Sequence, residues 1–159
     1  MMIFYCCYGR AHSSVAAAAL HLGWLRCSEA ALAEIIRLPY FDCASREDFG
    51  LPLALAQDSR GNQVFILGHG PAREMVERAL KSTLEHCGWP WEEILFVRTD
   101  QCLNIWTRIG GFLSRRLGLV FPGRTLAAYG IRRSLPCLAR CVARARKKSG
   151  LDAGATDIG

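Results

Sequence analysis

The chain has 159 residues, 51% of them apolar, with eight cysteines and a net charge of +6. That length suits one domain with its own core, and no run reaches the ~20 continuous apolar residues of a membrane span. Residues 1–100 carry nine Lys/Arg against twelve Asp/Glu and residues 101–159 eleven against two, with no acid from Gln101 to Gly150. A half so basic suggests an anionic partner, such as a phosphorylated metabolite, a nucleotide, RNA or a membrane surface, against the plainer reading of a solvated basic face. The N-terminus lacks a basic, cleavable leader, so a cytoplasmic setting is expected, with most cysteines as buried thiols.

In chain order, Ile3 to Tyr8 reads as a buried strand from its β-branched, aromatic and thiol content. Ser13 or Ser14 is placed to cap a helix through Val15, Ala18, Ala19 and Leu22 that stops at Gly23. A second helix runs from a Ser28 cap, with Leu32, Ile35 and Ile36 on one face, to the residue before Pro39. LPLALAQDSRGNQVFIL reads as a hairpin turning at Asp58–Gly61. Gly68-His69-Gly70-Pro71 leads into a helix with Met75, Val76, Ala79, Leu80 and Leu84 at helical spacing, closing at Gly88.

Ile94 to Val97 is a further strand, and Thr99-Asp100 the loop after it. A helix over about 105–117 follows, weakened by Gly110-Gly111. Gly118 and the following LVF read as a last short strand, and Ser134 as the cap of a basic final helix. Strands alternating with helices predict an α/β three-layer domain over 1–148, with a largely parallel sheet, one antiparallel hairpin and a disordered tail over 149–159. In such sheets, ligands gather at the carboxyl ends of the strands.

Three loops follow strands in this way, and Cys7-Tyr8-Gly9-Arg10-Ala11-His12-Ser13-Ser14 is the most informative. A strand-loop-helix joint of this size can turn several amides toward one anion, and the helix N-terminus adds about half a positive charge. The same field favours a thiolate at the loop's rim. The segment resembles the phosphate loop of low-molecular-weight tyrosine phosphatases and arsenate reductases, and that of phosphotransferase-system IIB subunits. The resemblance implies Cys7 as nucleophile or phosphate acceptor, Gly9 for the tight loop, and Ser14 to orient the thiol. Ser13 stands where the phosphatases have an arginine clamp, whereas the IIB subunits keep a small hydroxyl residue there. No Asp-Pro general-acid pair occurs late in the chain.

YCCYGRAHSSVAAAALHLG, LPYFD and RIGGFLSRRLGLVFPGRTLAAYGIRRSLP are similar to a bacterial family described only as domain of unknown function 3189. This similarity runs from Met1 to about Lys148 and implies no activity.

The residues thus nominate Cys7, His12 and Asp100 for catalysis. They nominate Gly9, Arg10, Ser13, Ser14, Arg108 and Arg124 for phosphate binding. Cys7 reads equally well as a buried strand residue, Ser13 and Ser14 read first as helix caps, and His69 sits where a second catalytic loop would be but reads more readily as a turn residue. His21, on its helix, is expected to be partly exposed, and Trp24, Trp89, Trp91 and Trp106 to serve core or hinge packing. Cys137 and Cys141, four apart on a helix, have no second pair with zinc-site spacing, so no metal and no cofactor are expected. Two functions remain open: phosphoryl or oxyanion transfer through Cys7 on a phosphorylated small molecule, or a non-catalytic nucleotide- or RNA-binding module. Neither needs a membrane, and the residues are silent on oligomeric state.

Overall fold

The computed structural model describes residues 1–28 and 30–150, Arg116 by its backbone alone. The expected disordered tail therefore falls, from residue 151, outside the described residues. Four strands form one sheet in the order β2-β3-β1-β4: β1 Met2–Cys7, β2 Leu53–Gln57, β3 Gln63–Gly68 and β4 Ile94–Arg98. β1 is parallel to β3 and to β4, whereas β2 and β3 form the antiparallel hairpin. The α/β class and the single hairpin are as the sequence predicts.

The alternation of β1 divides the core. Ile3 and Tyr5 face a layer made by α1 (Ser13–His21), α2 (Leu32–Arg37) and α5 (Val120–Lys148). Phe4 and Cys6 face α3 (Arg73–His86), with Phe4 stacked between Phe65 at 4.7 Å and Phe96 at 5.1 Å. All nine residues of α1 are buried, and its alanine run is what lets a helix this short lie between the sheet and α5. Burial first, and then the charge of Glu77, drives the Cys6 thiol well above its ordinary pKa, which suits a core residue.

The C-terminal half departs from the sequence reading. Residues 119–121 form no strand; they lead into α5, whose only non-helical residue is Phe121, and Ser134 lies inside that helix rather than at its start. Local signals for a break at Ser134-Leu135-Pro136 lose to packing. α5 lies along α4 (Ile105–Arg116) so closely that a Cβ on Gly110 would sit 2.3 Å from the Ala127 amide, and one on Gly123 2.6 Å from that of Ser114. Gly110 is therefore a contact residue, not a weak point. The Ser134 hydroxyl donates to the Cys102 carbonyl at 2.6 Å, joining α5 to the turn after β4. No described helix is long and apolar enough to cross a membrane.

Candidate functional site

A cleft of about 860 Å³ opens where β1, β3 and β4 end. All three post-strand loops reach it: Cys7 to Ser13, His69, and Arg98 to Leu103, with α4 forming the far wall. Cys7 lies at its floor, 3% exposed, with its sulfur 3.1 Å from the Ser14 hydroxyl. Gly9, His12, Ser13, Asp100 and Arg108 also line it.

Ser13 and Ser14 do not cap α1. His12 occupies the cap position and makes no side-chain cap bond, while Ser13 accepts from the Thr99 hydroxyl at 3.0 Å. Among the described residues, the amides from Gly9 to Val15 donate to no protein acceptor. The tight bend falls on Arg10 (φ 56°) rather than on Gly9, so the expected glycine role moves one residue along. Arg10 turns away from the cleft. Its guanidinium donates to the Leu51 carbonyl at 2.9 Å and pairs with Asp48 at 2.6 Å, fixing the loop that carries Arg46 and Phe49. Arg124 also points elsewhere, donating to the Ile36 carbonyl at 2.8 Å.

Two further groups stand outside the nominated site residues. Asp42, in the LPYFD stretch, accepts from His12 Nε2 at 3.0 Å and from the Ser114 hydroxyl. Burial pushes its carboxyl up, but the bonds from His12 and Ser114 and the charge of Arg115 outweigh that and hold it below the usual range. Tyr40 (φ 64°) and Asp42 (φ 58°) both adopt left-handed backbone, the kind of local strain that collects at sites. His69, read from the sequence more readily as a turn residue than as part of a second catalytic loop, is 6% exposed in the cleft wall. Its Nδ1–H donates to the Gly70 carbonyl at 2.7 Å, leaving Nε2 without a hydrogen bond and 3.7 Å from Asp100 Oδ2. Its place at the carboxyl end of a predicted strand was the available signal.

Five arginines line the cleft, at positions 46, 73, 98, 108 and 115, against one carboxylate, Asp100. Arg98 is held by Glu77 at 3.2 Å, whose hydrogen bond tightens its hold on its proton, and Arg115 donates to the Asp42 carbonyl at 3.0 Å. Arg46 and Arg108 have no ion pair or side-chain hydrogen bond among the described residues. The set offers a buried thiol, two imidazoles with a nitrogen to spare, and a cationic rim.

Fold and site together define an α/β domain with a basic, cysteine-floored cleft at the carboxyl ends of its parallel strands. The chain belongs to the family described as "Protein of unknown function (DUF3189)", whose profile matches residues 2–147. No curated protein and no solved structure matches it.

Proposed function

We propose that the cleft binds a phosphate-bearing small molecule at the Cys7–Ser14 joint and transfers its phosphoryl group through Cys7. The observation that carries this is the meeting of unpaired loop amides with five arginines around a single carboxylate. Helix N-termini and arginine forks are the two commonest protein devices for holding phosphate. The cleft's volume suits a nucleotide or sugar phosphate rather than inorganic phosphate alone.

In this reading the Cys7 sulfur attacks phosphorus, an S–P bond forms, and the ester P–O bond breaks. The leaving oxygen takes a proton from the His69–Asp100 pair, whose Nε2 and Oδ2 stand 3.7 Å apart. Water then attacks the phosphocysteine, its proton returns to that pair, and inorganic phosphate leaves a regenerated thiolate to which Ser14 donates. His12, fixed by Asp42, orients the loop and offers Nδ1 to the bound anion.

Turnover of a phosphoester panel by Cys7→Ser tests the covalent step, with an expected loss of about a thousandfold or more. Phosphate should also protect Cys7 from alkylation. Undiminished turnover in that variant removes the covalent step.

The second reading is a non-catalytic nucleotide- or RNA-binding module. It is favoured by Ser13, buried and bonded to Thr99 where an arginine clamp would sit. Ligand stabilisation with an inert Cys7 supports that reading, and a steep fall of affinity with salt supports its RNA form.

A further inference from the structure

Cys102, on the turn after β4, meets Cys137 and Cys141, one turn apart on α5. The three sulfurs lie within 4.8 Å of one another, Cys102 and Cys141 buried and Cys137 half-buried. Cys102 and Cys137 are joined as a disulfide, and Cys141 Sγ stands 3.8 Å from Cys102 Sγ. The pair that lacked a second half in the sequence thus gains a third sulfur from a distant turn.

We propose that, when reduced, this cluster is a three-thiolate site for one zinc-like divalent cation. Zn–S bonds of about 2.3 Å in a tetrahedron set sulfurs roughly 3.8 Å apart, the separation already present between Cys102 and Cys141. The surroundings suit thiolates. Gln101 donates its side-chain amide to Cys141 Sγ at 3.5 Å and Arg144 its guanidinium at 3.6 Å. No acid occurs between residues 101 and 150, so the hard-cation ligands of calcium or magnesium are missing from these elements. Charge selects the valence. Three thiolates and a divalent ion leave one negative charge, which Arg144 balances; a monovalent ion would leave two.

The two states interconvert with balanced chemistry. A dithiol reductant gives two electrons and two protons to the disulfide and itself becomes a disulfide. The cation then displaces three thiol protons, and water takes the fourth position at the half-buried Cys137 side. Both states tie the turn bearing Asp100 and Gln101 to α5, so the cleft wall is held in either redox condition. The site does not depend on what the cleft binds.

The test uses the full chain with the exposed Cys27, Cys43 and Cys87 changed to Ser to remove stray thiols. The protein is reduced with a phosphine under argon and titrated with Zn(II), then Cd(II). One equivalent per chain is expected, with thiolate-to-cadmium charge-transfer absorption and three thiols protected from alkylation by mass spectrometry. Cys141→Ser and Cys137→Ser should each weaken binding by at least about tenfold, the lower end of what even outer-shell losses cost. If Cys141→Ser does not fold, the half-buried Cys137 decides alone. Absence of stoichiometric uptake, or uptake indifferent to the Cys137 change, overturns the site.

Discussion

His21 and His69 are both buried, 2% and 6% exposed, and each lies beside an aspartate. They sit at opposite ends of the sheet and are wired in opposite ways. At the amino end, His21 Nε2 donates to Asp58 at 3.1 Å, and Nδ1 accepts from the Tyr5 hydroxyl at 2.7 Å. Asp58 also takes the Asn62 amide at 2.8 Å, and Asn62 accepts from the chain's own ammonium at 3.1 Å. Every strong donor there has an acceptor, as a buried polar network requires. At the carboxyl end, His69 keeps Nε2 unbonded and faces the cleft. A satisfied network stabilises; an unsatisfied one, kept in a cleft, is poised to act on something else.

The largest expected effect breaks the first network. His21→Ala leaves Asp58 and Tyr5 without their partner and opens a cavity. It should cost about 3 kcal/mol, or roughly 10 °C in Tm at this chain length. His69→Ala should leave Tm nearly unchanged while removing the gain in Tm that the proposed phosphoester binding should give the parent. Equal thermal losses in the two variants would erase the distinction between the two ends.

A second pair of substitutions compares the same two roles within α4. Gly110→Ala drives a methyl into the Ala127 backbone and should destabilise by about 1–3 kcal/mol in a urea titration. Gly111→Ala meets His12 Cε1 at 2.9 Å instead, where a ring can tilt. That change should disturb ligand binding more than folding.

These glycines also mark where sequence reasoning ran short. The strands, the hairpin and the three site-bearing loops rest on local patterns of alternation and turn chemistry, and local patterns are what a single sequence carries. Cys7, His12 and Asp100 fell in the cleft because strand ends and cleft coincide in this fold class, whereas Arg108 reaches it from the far wall, on α4. Arg10 and Arg124 turn to partners outside the cleft, because a long side chain on a short loop or helix can turn either way. Only the tertiary partners Asp48 and Ile36 decide its direction. Likewise His21 was expected to be partly exposed, since nothing near it reveals Tyr5 and Asp58. Trp24, Trp91 and Trp106, expected in packing roles, are 47%, 58% and 42% exposed. The Gly110-Gly111 pair signals weakness to a propensity scale and close helix contact to a structure, and only the partner helix tells which.

Acid offers a subtler probe, because both ends hold a depressed carboxyl. Burial raises Asp58, but hydrogen bonds from Asn62 and His21 outweigh it, as His12 and Ser114 do for Asp42. A carboxyl held low in the folded chain stabilises it above the unfolded pKa, about 4. That contribution fades as pH falls from there through the folded value. The urea midpoint should therefore hold from pH 7 to 5 and drop below 4. Asp58→Asn should begin lower at pH 7 and fall less on acidification. An unchanged acid limb in Asp58→Asn and Asp42→Asn together would show that neither carboxyl is held as described.

The smallest effect on the fold is also the sharpest on the site. Arg108 projects from α4 into the cleft with no partner among the described residues, so its removal should shift Tm by no more than surface substitutions usually do. If it closes on bound phosphate, Arg108→Ala loses one charge-assisted contact, partly screened by water. That is worth about 1 kcal/mol, or roughly fivefold in affinity. Arg108→Lys keeps the charge but not the fork, and should recover part of the loss. Raising salt should narrow the gap between parent and Arg108→Ala, because a screened arginine contributes less. Arg132, exposed on α5 and outside the cleft lining, is the control; its Ala variant should bind as the parent does. Equal losses at Arg108 and Arg132 would mean that the basic half attracts anions as a diffuse surface, with no part reserved for the cleft.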